Sequence, residues 1–212
     1  MPDDVNRLYL VSPILVSEAE AREFAAKLEK TMANADVASL LLRVEAEADP
    51  SSLAPVVRLT ERGGVALLAK DRLDLAKTSA FDGVHVTGVG QTLQEALKSL
   101  KPTKIVGAGA LHGRDDAMVA GEAGADYVMF GDFRPGDTAL DFERTRDLTA
   151  WWAEIFEPPC VAMAHRLADV ERLSEAGADF VALGEALWEA RLIEVAARET
   201  QQALARARKA RK

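Results

Sequence analysis

Short apolar runs recur along the whole chain, and each is flanked by polar or small residues. The runs cover residues 8–12, 37–44, 65–69, 83–86, 104–108, 126–131, 160–164 and 180–184. They are continuously apolar rather than alternating, which is typical of parallel strands that are covered on both faces. Segments with helical periodicity, such as SEAEAREFAAKLEKTM and TLQEALKSL, lie between the runs. The pattern therefore predicts eight parallel strands that alternate with helices.

One helix-to-strand junction occurs in several copies. GEAGADYVMFGDF at 121–133 closely matches SEAGADFVALGEAL at 174–187, and TSAFDGVHV is a weaker copy. In the two strong copies, Gly124 and Gly177 stand where a left-handed helix cap is expected, and an aspartate precedes the strand. Repetition of one junction is typical of a fold built from a repeated βα unit.

Eight strands and their helices fit either a closed barrel or an open, doubly wound sheet. The open sheet usually has a glycine-rich loop after its first strand. The segment LYLVSPILVSEAE contains no glycine, which favours the barrel. The chain is thus predicted to form a single (β/α)8 TIM barrel over residues 1–212.

Composition narrows the possible partners and location. The net charge of −8 argues against a nucleic-acid binder, which needs a surplus of lysine and arginine. No apolar run approaches the ~20 residues of a membrane span, and the first residues do not resemble a signal peptide. Cys160 is the only cysteine, which excludes an internal disulfide. A cytoplasmic protein without a membrane or nucleic-acid partner is expected.

In such a barrel, functional residues lie on the loops that follow the strands. The triplet Lys70, Asp71 and Arg72 follows the third strand, where an ordinary turn would have Gly, Asn or Ser. Asp71 could alternatively cap a helix that begins at Arg72. Other polar or small residues after strands are Ser12, Arg43, Glu45, Thr87, His112, Gly131, Asp132, Arg134, His165, Gly184 and Glu185.

Several of these segments resemble one known family. LYLVSP, LLLRVE, KDRLDLA followed by DGVHV, GADYVMFGDF and GADFVALGEAL occur in order from Leu8 to about Leu187. Together they resemble thiamine phosphate synthase and its TenI relatives, which include a thiazole tautomerase. The resemblance implies a (β/α)8 barrel in thiamine biosynthesis. The synthase joins a pyrimidine diphosphate to a thiazole phosphate, releases pyrophosphate and requires Mg²⁺.

The resemblance also implies roles for individual residues. Asp71 corresponds to the metal-ligand aspartate of the family and is expected to take part in catalysis. The residues implied in binding the thiazole or pyrimidine phosphate are Arg43, Lys70, Arg72, Gly131, Gly184 and Glu185.

The chain departs from the family pattern at several of its charged positions. Gly90 stands where the family has a second magnesium carboxylate, and Glu45 and Ala139 stand where it has lysines. His165 occupies a glycine of the phosphate loop. Fewer cations and carboxylates predict weak or absent Mg²⁺ binding and count against ordinary synthase activity.

Glu185 replaces the serine that helps to bind phosphate after the eighth strand. A carboxylate there can accept the free N–H groups of the following helix and repel a phosphate. Alternatively, Glu185 turns outward to solvent and leaves the site open.

Three functions therefore remain open. One is a diverged thiamine phosphate synthase. A second is a TenI-like tautomerase, in which His112 of the segment LHGRDDA would shuttle a proton. The third is a barrel that binds a thiamine-related ligand without catalysis.

The remaining aromatic residues have simpler predicted roles. His85 is expected to point into the barrel as part of its core. Trp151, Trp152 and Trp188 are expected to pack on helix faces or to form a contact in a homodimer.

Overall fold

A computed structural model of the chain describes residues 7–46, 48–133 and 138–210, with only the backbone at 138 and 139. Arg134 and the side chain of Ala139, both considered above, lie outside the described residues. Within the described ranges, eight parallel strands close into a barrel in the order β1 to β8. The strands are β1 (Arg7–Leu15), β2 (Val37–Val44), β3 (Ala66–Lys70), β4 (Gly83–Thr87), β5 (Ile105–Gly109), β6 (Tyr127–Phe130), β7 (Cys160–Ala164) and β8 (Phe180–Leu183).

Helices follow the strands and cover the outside of the barrel. They are α1 (Glu18–Met32), α2 (Ala54–Gly63), α3 (Leu73–Ala76), α4 (Gln91–Leu100), α5 (Arg114–Glu122), α6 (Thr138–Ile155), α7 (Asp169–Glu175), α8 (Glu185–Trp188) and α9 (Ile193–Ala210). The predicted (β/α)8 TIM barrel is confirmed. The helix after β8 differs from the simple pattern, because the short α8 precedes the long α9.

The repeated junction is confirmed, and its aspartate has a structural role. Gly124 and Gly177 adopt left-handed φ angles of 95° and 110°. Each aspartate carboxylate accepts a hydrogen bond from the preceding strand: Leu67 N–H to Asp82 at 2.7 Å, Val106 N–H to Asp126 at 2.8 Å, and Cys160 N–H to Asp179 at 2.8 Å. The repeat therefore ties β3, β5 and β7 to the strands that follow them, at the amino end of the barrel.

The barrel interior has its own core. It comprises Tyr9, Val11, Leu41, Leu68, Tyr127, Met129, Val161, Met163 and Ala182. Strand β5 presents Gly107 and Gly109 instead of large side chains. A Cβ atom at Gly107 would lie 2.0 Å from the ring of Tyr127, and one at Gly109 would lie 2.3 Å from Nε2 of His85. These glycines therefore leave the space that the two rings fill.

The tryptophans belong to the packing of the helices. Trp152 is fully buried and donates a hydrogen bond to the carbonyl of Pro158. Trp188 packs edge-on against Phe24 and donates to the carbonyl of Val11 at 2.6 Å. Trp151 is partly buried on α6, packs against Trp152 and Phe156, and lies under the guanidinium of Arg114. Packing on helix faces is thus confirmed for Trp152 and Trp188.

None of the helices in the described part of the chain combines the length and the apolar character that crossing a membrane requires.

Candidate functional site

Asp71 connects the ends of β3 and β4. Its carboxylate accepts hydrogen bonds from the N–H and the hydroxyl of Thr87, both at 2.7 Å, and from the ammonium group of Lys70. Its own N–H donates to the carbonyl of His85. Asp71 has a φ of 52°, so the chain turns sharply directly after β3. The local fold therefore fixes the carboxylate at the carboxyl end of the barrel.

Asp71 does not cap a helix. The helix α3 begins at Leu73, one residue later than expected, and no side chain caps it. The reason is geometric, because Asp71 turns toward Thr87 on the neighbouring strand.

Asp71 is held in its charged form. Partial burial by itself would raise the pKa of Asp71, but the hydrogen bonds from Lys70 and Thr87 outweigh it and keep the pKa below its usual value. Lys70 also donates to the hydroxyl of Thr87 at 3.2 Å. Lys70 and Asp71 form an ion pair. The exposed fraction of the side chain is 27% for Lys70 and 36% for Asp71, so both can still contact a ligand.

Two arginines flank this pair. Arg43 is the penultimate residue of β2, and its N–H donates to the hydroxyl of the buried Ser12 at 2.8 Å. Arg72 donates to the carbonyl of Glu45 at 2.9 Å and makes a two-pronged contact with Asp74. Arg72 thereby joins the loops after β2 and β3.

A cavity of about 640 Å³ opens between these loops at the mouth of the barrel. Phe133, which follows β6, forms an aromatic wall. The cation of Arg43 lies 5.9 Å from the centre of its ring, and that of Lys70 lies 5.7 Å away. The cavity is lined by Ile14, Arg43, Val44, Glu45, Ala46, Lys70, Asp71, Arg72, Thr87, Ala110, Gly131, Asp132 and Phe133.

His112 lies outside this cavity. Its side chain is exposed, and it borders a separate pocket of about 40 Å³ that shares Gly131 and Asp132 with the large cavity. Its N–H donates to the carboxylate of Asp116 at 2.8 Å, and its carbonyl accepts from the guanidinium of Arg144. The backbone of His112 is therefore fixed at the start of α5, away from the Lys70–Asp71 pair.

Gly184 and Glu185 also lie outside the lining of the large cavity. Gly184 is buried directly before α8, and Glu185 is the exposed first residue of that helix. Among the described residues, none donates a hydrogen bond to the carboxylate of Glu185. The first residue of α8 is thus exposed, and no side chain caps this helix.

The comparisons with known proteins agree on one family. The family model described as thiamine monophosphate synthase matches residues 8–187. A thiamine-phosphate synthase of Hyphomonas neptunium is 34% identical over 196 residues, which cover 88% of each chain. One from Rhodospirillum centenum is 38% identical over 188 residues, covering 86% of this chain and 89% of that protein.

The chain belongs to the thiamine monophosphate synthase family. The resemblance in the strand-end motifs is thus confirmed, and with it a thiamine phosphate synthase-like protein. A solved structure, thiamine phosphate pyrophosphorylase from Pyrococcus furiosus, superimposes with a TM-score of 0.75 at 19% identity, covering 96% of this chain and 97% of that one. That likeness supports the fold.

The side chains of this family member that could bind a metal fit a magnesium ion only in part. Within the described ranges, no group of three or more His, Cys, Asp or Glu side chains could hold a metal ion. Asp71 lines the cavity and is paired with Lys70, and it already accepts three hydrogen bonds. Magnesium commonly binds through one or two carboxylates together with substrate phosphates and water. Asp71 fits that pattern only if a substrate supplies most of the oxygen ligands.

Five of the eight candidate residues predicted from the sequence of this family member lie around one cavity. The five are Arg43, Lys70, Asp71, Arg72 and Gly131. Phe133 was missed, although it lies in the matched motif GADYVMFGDF, because an aromatic residue at such a position is normally predicted to belong to the hydrophobic core. Tyr9 and Tyr127 were also missed. Tyr127 hydrogen-bonds to His85 beneath the cavity, and Tyr9 hydrogen-bonds to Tyr127. The expectation that His85 points into the barrel is confirmed.

Proposed function

We propose that this protein couples a pyrimidine diphosphate to a thiazole with release of pyrophosphate, in the cavity at the mouth of the barrel. The family suggests the reaction, and the charges of the cavity support it. The observation that carries the proposal is the position of Arg43 and Lys70, whose cations lie 5.9 and 5.7 Å from the centre of the Phe133 ring. An aromatic surface beside two cations suits a flat ring that carries a diphosphate.

The cations would act on the leaving group. A departing diphosphate gains negative charge, and fixed positive groups in a partly closed site stabilise that charge without reorganisation. Lys70 is fixed by Asp71 and Thr87. Arg72 is fixed by Asp74 and by the carbonyl of Glu45, and its main contribution is to hold the loops of the cavity together.

We propose Asp71 as the protein ligand of a magnesium ion that enters with the diphosphate. Such an ion would add positive charge at the leaving group. Asp71 is charged at neutral pH because the bonds from Lys70 and Thr87 lower its pKa despite partial burial. Without a diphosphate, one carboxylate is expected to hold the ion weakly.

The tautomerase alternative finds less support in the geometry. A proton-transfer residue must reach the substrate, and His112 is exposed beside a pocket of only about 40 Å³. The large cavity contains no histidine among its described lining residues. A binding protein without catalysis would use the same cavity, so turnover has to separate it from a synthase.

The decisive experiment measures pyrophosphate release from a pyrimidine diphosphate in the presence of a thiazole, with magnesium and with EDTA. The wild type is expected to release pyrophosphate only with magnesium. Asp71→Asn is expected to lower the rate at least about a hundredfold, because it removes the negative charge of the one side chain that is proposed to bind the magnesium ion. Asp115→Asn, on the exposed first turn of α5, is the matched control and should retain the wild-type rate. If the wild type binds the substrates without releasing pyrophosphate, the protein is a binding protein without catalysis. Tautomerisation of a thiazole in EDTA would favour a tautomerase that uses His112.

We also propose a cytoplasmic location and a homodimer. The single cysteine, Cys160, is a free buried thiol, which suits a reducing compartment. The outer side of α6 carries the partly buried Trp151 and the exposed Ile155, which would suit a contact between two copies. Sedimentation velocity on the wild type and on Ile155→Lys tests the dimer, which the substitution should weaken.

A further inference from the structure

Thr87, the last residue of β4, contacts both members of the Lys70–Asp71 pair. Its hydroxyl donates a hydrogen bond to one carboxylate oxygen of Asp71 at 2.7 Å and accepts one from the ammonium group of Lys70 at 3.2 Å. Its N–H donates to the other oxygen of Asp71 at 2.7 Å. Lys70 donates to the same oxygen of Asp71 as the Thr87 hydroxyl. The three side chains therefore form a closed ring of hydrogen bonds.

The backbone explains why the carboxylate of Asp71 reaches Thr87. In the parallel pair of β3 and β4, Lys70 lies opposite His85, and the N–H of Asp71 donates to the carbonyl of His85. A regular parallel ladder would continue with a bond from the N–H of Thr87 to the carbonyl of Asp71. The φ of Asp71 is 52°, so the main chain turns away there, and the carboxylate accepts that bond instead. Thr87 thus anchors the carboxylate to β4.

The Thr87 hydroxyl adds the second anchor, which fixes the orientation of the carboxylate. A carboxylate held at one oxygen can still turn, because the terminal torsion of aspartate has a broad energy well. Lysine is a poor anchor, since its ammonium is a point charge on a long flexible chain. Threonine is β-branched and stiff at χ1, so its hydroxyl has a defined position at the end of β4. Both oxygens of Asp71 are therefore held by one rigid residue.

The same hydroxyl also orients Lys70. An ammonium group has three N–H donors, and Asp71 and Thr87 together accept from two of them. All three residues border the large cavity, so the third donor is available to a diphosphate there. Thr87 therefore arranges one anionic and one cationic group side by side at the same wall of the cavity.

We propose that Thr87 is a positioning residue for the binding of magnesium and diphosphate: it orients Asp71 toward the ion and Lys70 toward the diphosphate. This inference rests on the proposed function for the identity of the ligands. It concerns how strongly magnesium and a diphosphate bind together, so binding measurements test it separately from turnover.

The test measures the affinity for inorganic pyrophosphate by calorimetry, with magnesium and in EDTA. Magnesium is expected to strengthen binding by the wild type, because Asp71 and the diphosphate would share the ion. Thr87→Val removes the hydroxyl from a side chain of nearly the same shape. It should lower the affinity about tenfold with magnesium and about twofold or less in EDTA, where only the bond to Lys70 is lost. Thr87→Ser keeps the hydroxyl and should bind like the wild type.

Thr78→Val is the matched control. Thr78 is exposed, its hydroxyl donates to the carbonyl of Leu75 at 2.7 Å, and it lies outside the lining of the cavity. The same chemical change at this position should leave both affinities unchanged.

A double-mutant cycle distinguishes positioning from a purely structural role. In an Asp71→Asn background the effect of magnesium is already lost, so Thr87→Val should have almost no further effect. If Thr87 only supported the barrel, its substitution would weaken binding equally in both backgrounds and would lower the free energy of unfolding in urea. Thr87→Ala, which also lacks the hydroxyl, repeats the comparison, so the result does not depend on the folding of one variant.

Four results would overturn the inference: unchanged affinity of Thr87→Val with magnesium, additive effects in the cycle, failure of Thr87→Ser to retain binding, or no effect of magnesium on the wild type. Pyrophosphate release from the pyrimidine diphosphate, measured in parallel, separates the two proposals. Release by the wild type with unchanged binding by Thr87→Val would support the reaction and reject the role of Thr87. No release, combined with a non-additive loss of magnesium-dependent binding, would reject the reaction and support that role.

Discussion

The hydroxyl group of Tyr127 lies 2.9 Å from Nδ1 of His85, inside the barrel and beneath the cavity. The same hydroxyl lies 2.8 Å from that of Tyr9, so three side chains from β1, β4 and β6 form one buried chain of hydrogen bonds. The ring of His85 also packs edge-on against Phe133, which forms the cavity wall. This buried chain therefore supports the floor of the candidate site.

All three groups are neutral at physiological pH. Burial lowers the pKa of His85 to about 3; the nearby Asp71 opposes this and Lys70 adds to it. Burial raises the pKa of Tyr127 well above its usual value, and it raises that of Tyr9 as well. Nε2 of His85 has no hydrogen-bond partner among the described residues, which is consistent with a ring that carries no charge.

The first prediction concerns stability in acid. His85 has a pKa of about 3 in the folded protein and an ordinary value of 6.5 in the unfolded chain. Between these values only the unfolded chain binds the proton, so the free energy of unfolding falls as the pH falls below 6.5. The slope from this residue is about 1.4 kcal/mol per pH unit. Urea unfolding at pH 7, 6 and 5 should show a steeper fall for the wild type than for His85→Gln. Parallel curves for the two proteins would contradict the assignment.

The second prediction concerns the shared hydroxyl of Tyr127. Tyr127→Phe removes the group that contacts both Tyr9 and His85, and leaves their polar atoms buried. The expected loss is about 1–3 kcal/mol in the free energy of unfolding. Tyr9→Phe removes only one of the two hydrogen bonds and should cost less. Chemical denaturation of both variants at pH 7 provides the measurement, and an equal or reversed order would argue against Tyr127 as the centre of the chain.

The third prediction concerns the close approach of β5 to His85. Gly109→Ala places a Cβ atom where Nε2 of His85 would lie only 2.3 Å away, so the ring must shift. Overpacking of this kind costs about 1–3 kcal/mol. In a His85→Ala background the same change should cost much less, because the obstructing ring is gone. A double-mutant cycle from urea unfolding measures the difference, and strictly additive effects would show that the two positions are independent.

The fourth prediction concerns the cation at the cavity wall. Lys70→Met removes the charge beside Phe133 and the partner of Asp71. A charge-assisted hydrogen bond contributes about 1.5–3 kcal/mol, so the affinity for inorganic pyrophosphate should fall about ten- to a hundredfold. Lys77→Met, at the exposed end of α3, serves as the matched control and should bind like the wild type. Calorimetry with magnesium pyrophosphate makes the comparison. An unchanged affinity in Lys70→Met would place the diphosphate elsewhere.

The sequence by itself determined the architecture and the general position of the site. Continuous apolar runs and a repeated βα junction are local features, and parallel strands with short helical crossovers have few ways to close. The same logic places the residues after the strands at one end of the barrel, which is why the pattern of the chain alone groups Arg43, Lys70 and Asp71.

Only the tertiary structure decided which of these side chains meet. Tyr9 and Tyr127 are 118 residues apart, and Tyr127 and His85 are 42 apart, so their hydrogen bonds depend on the register with which the barrel closes. The same is true of Asp71, whose partner Thr87 lies on the next strand, and of His112, which the start of α5 directs away from the large cavity. The physical reason is that hydrogen bonds and ion pairs require atoms within about 3 Å. The sequence pattern fixes the order of the strands, but packing inside the closed barrel fixes positions at that scale.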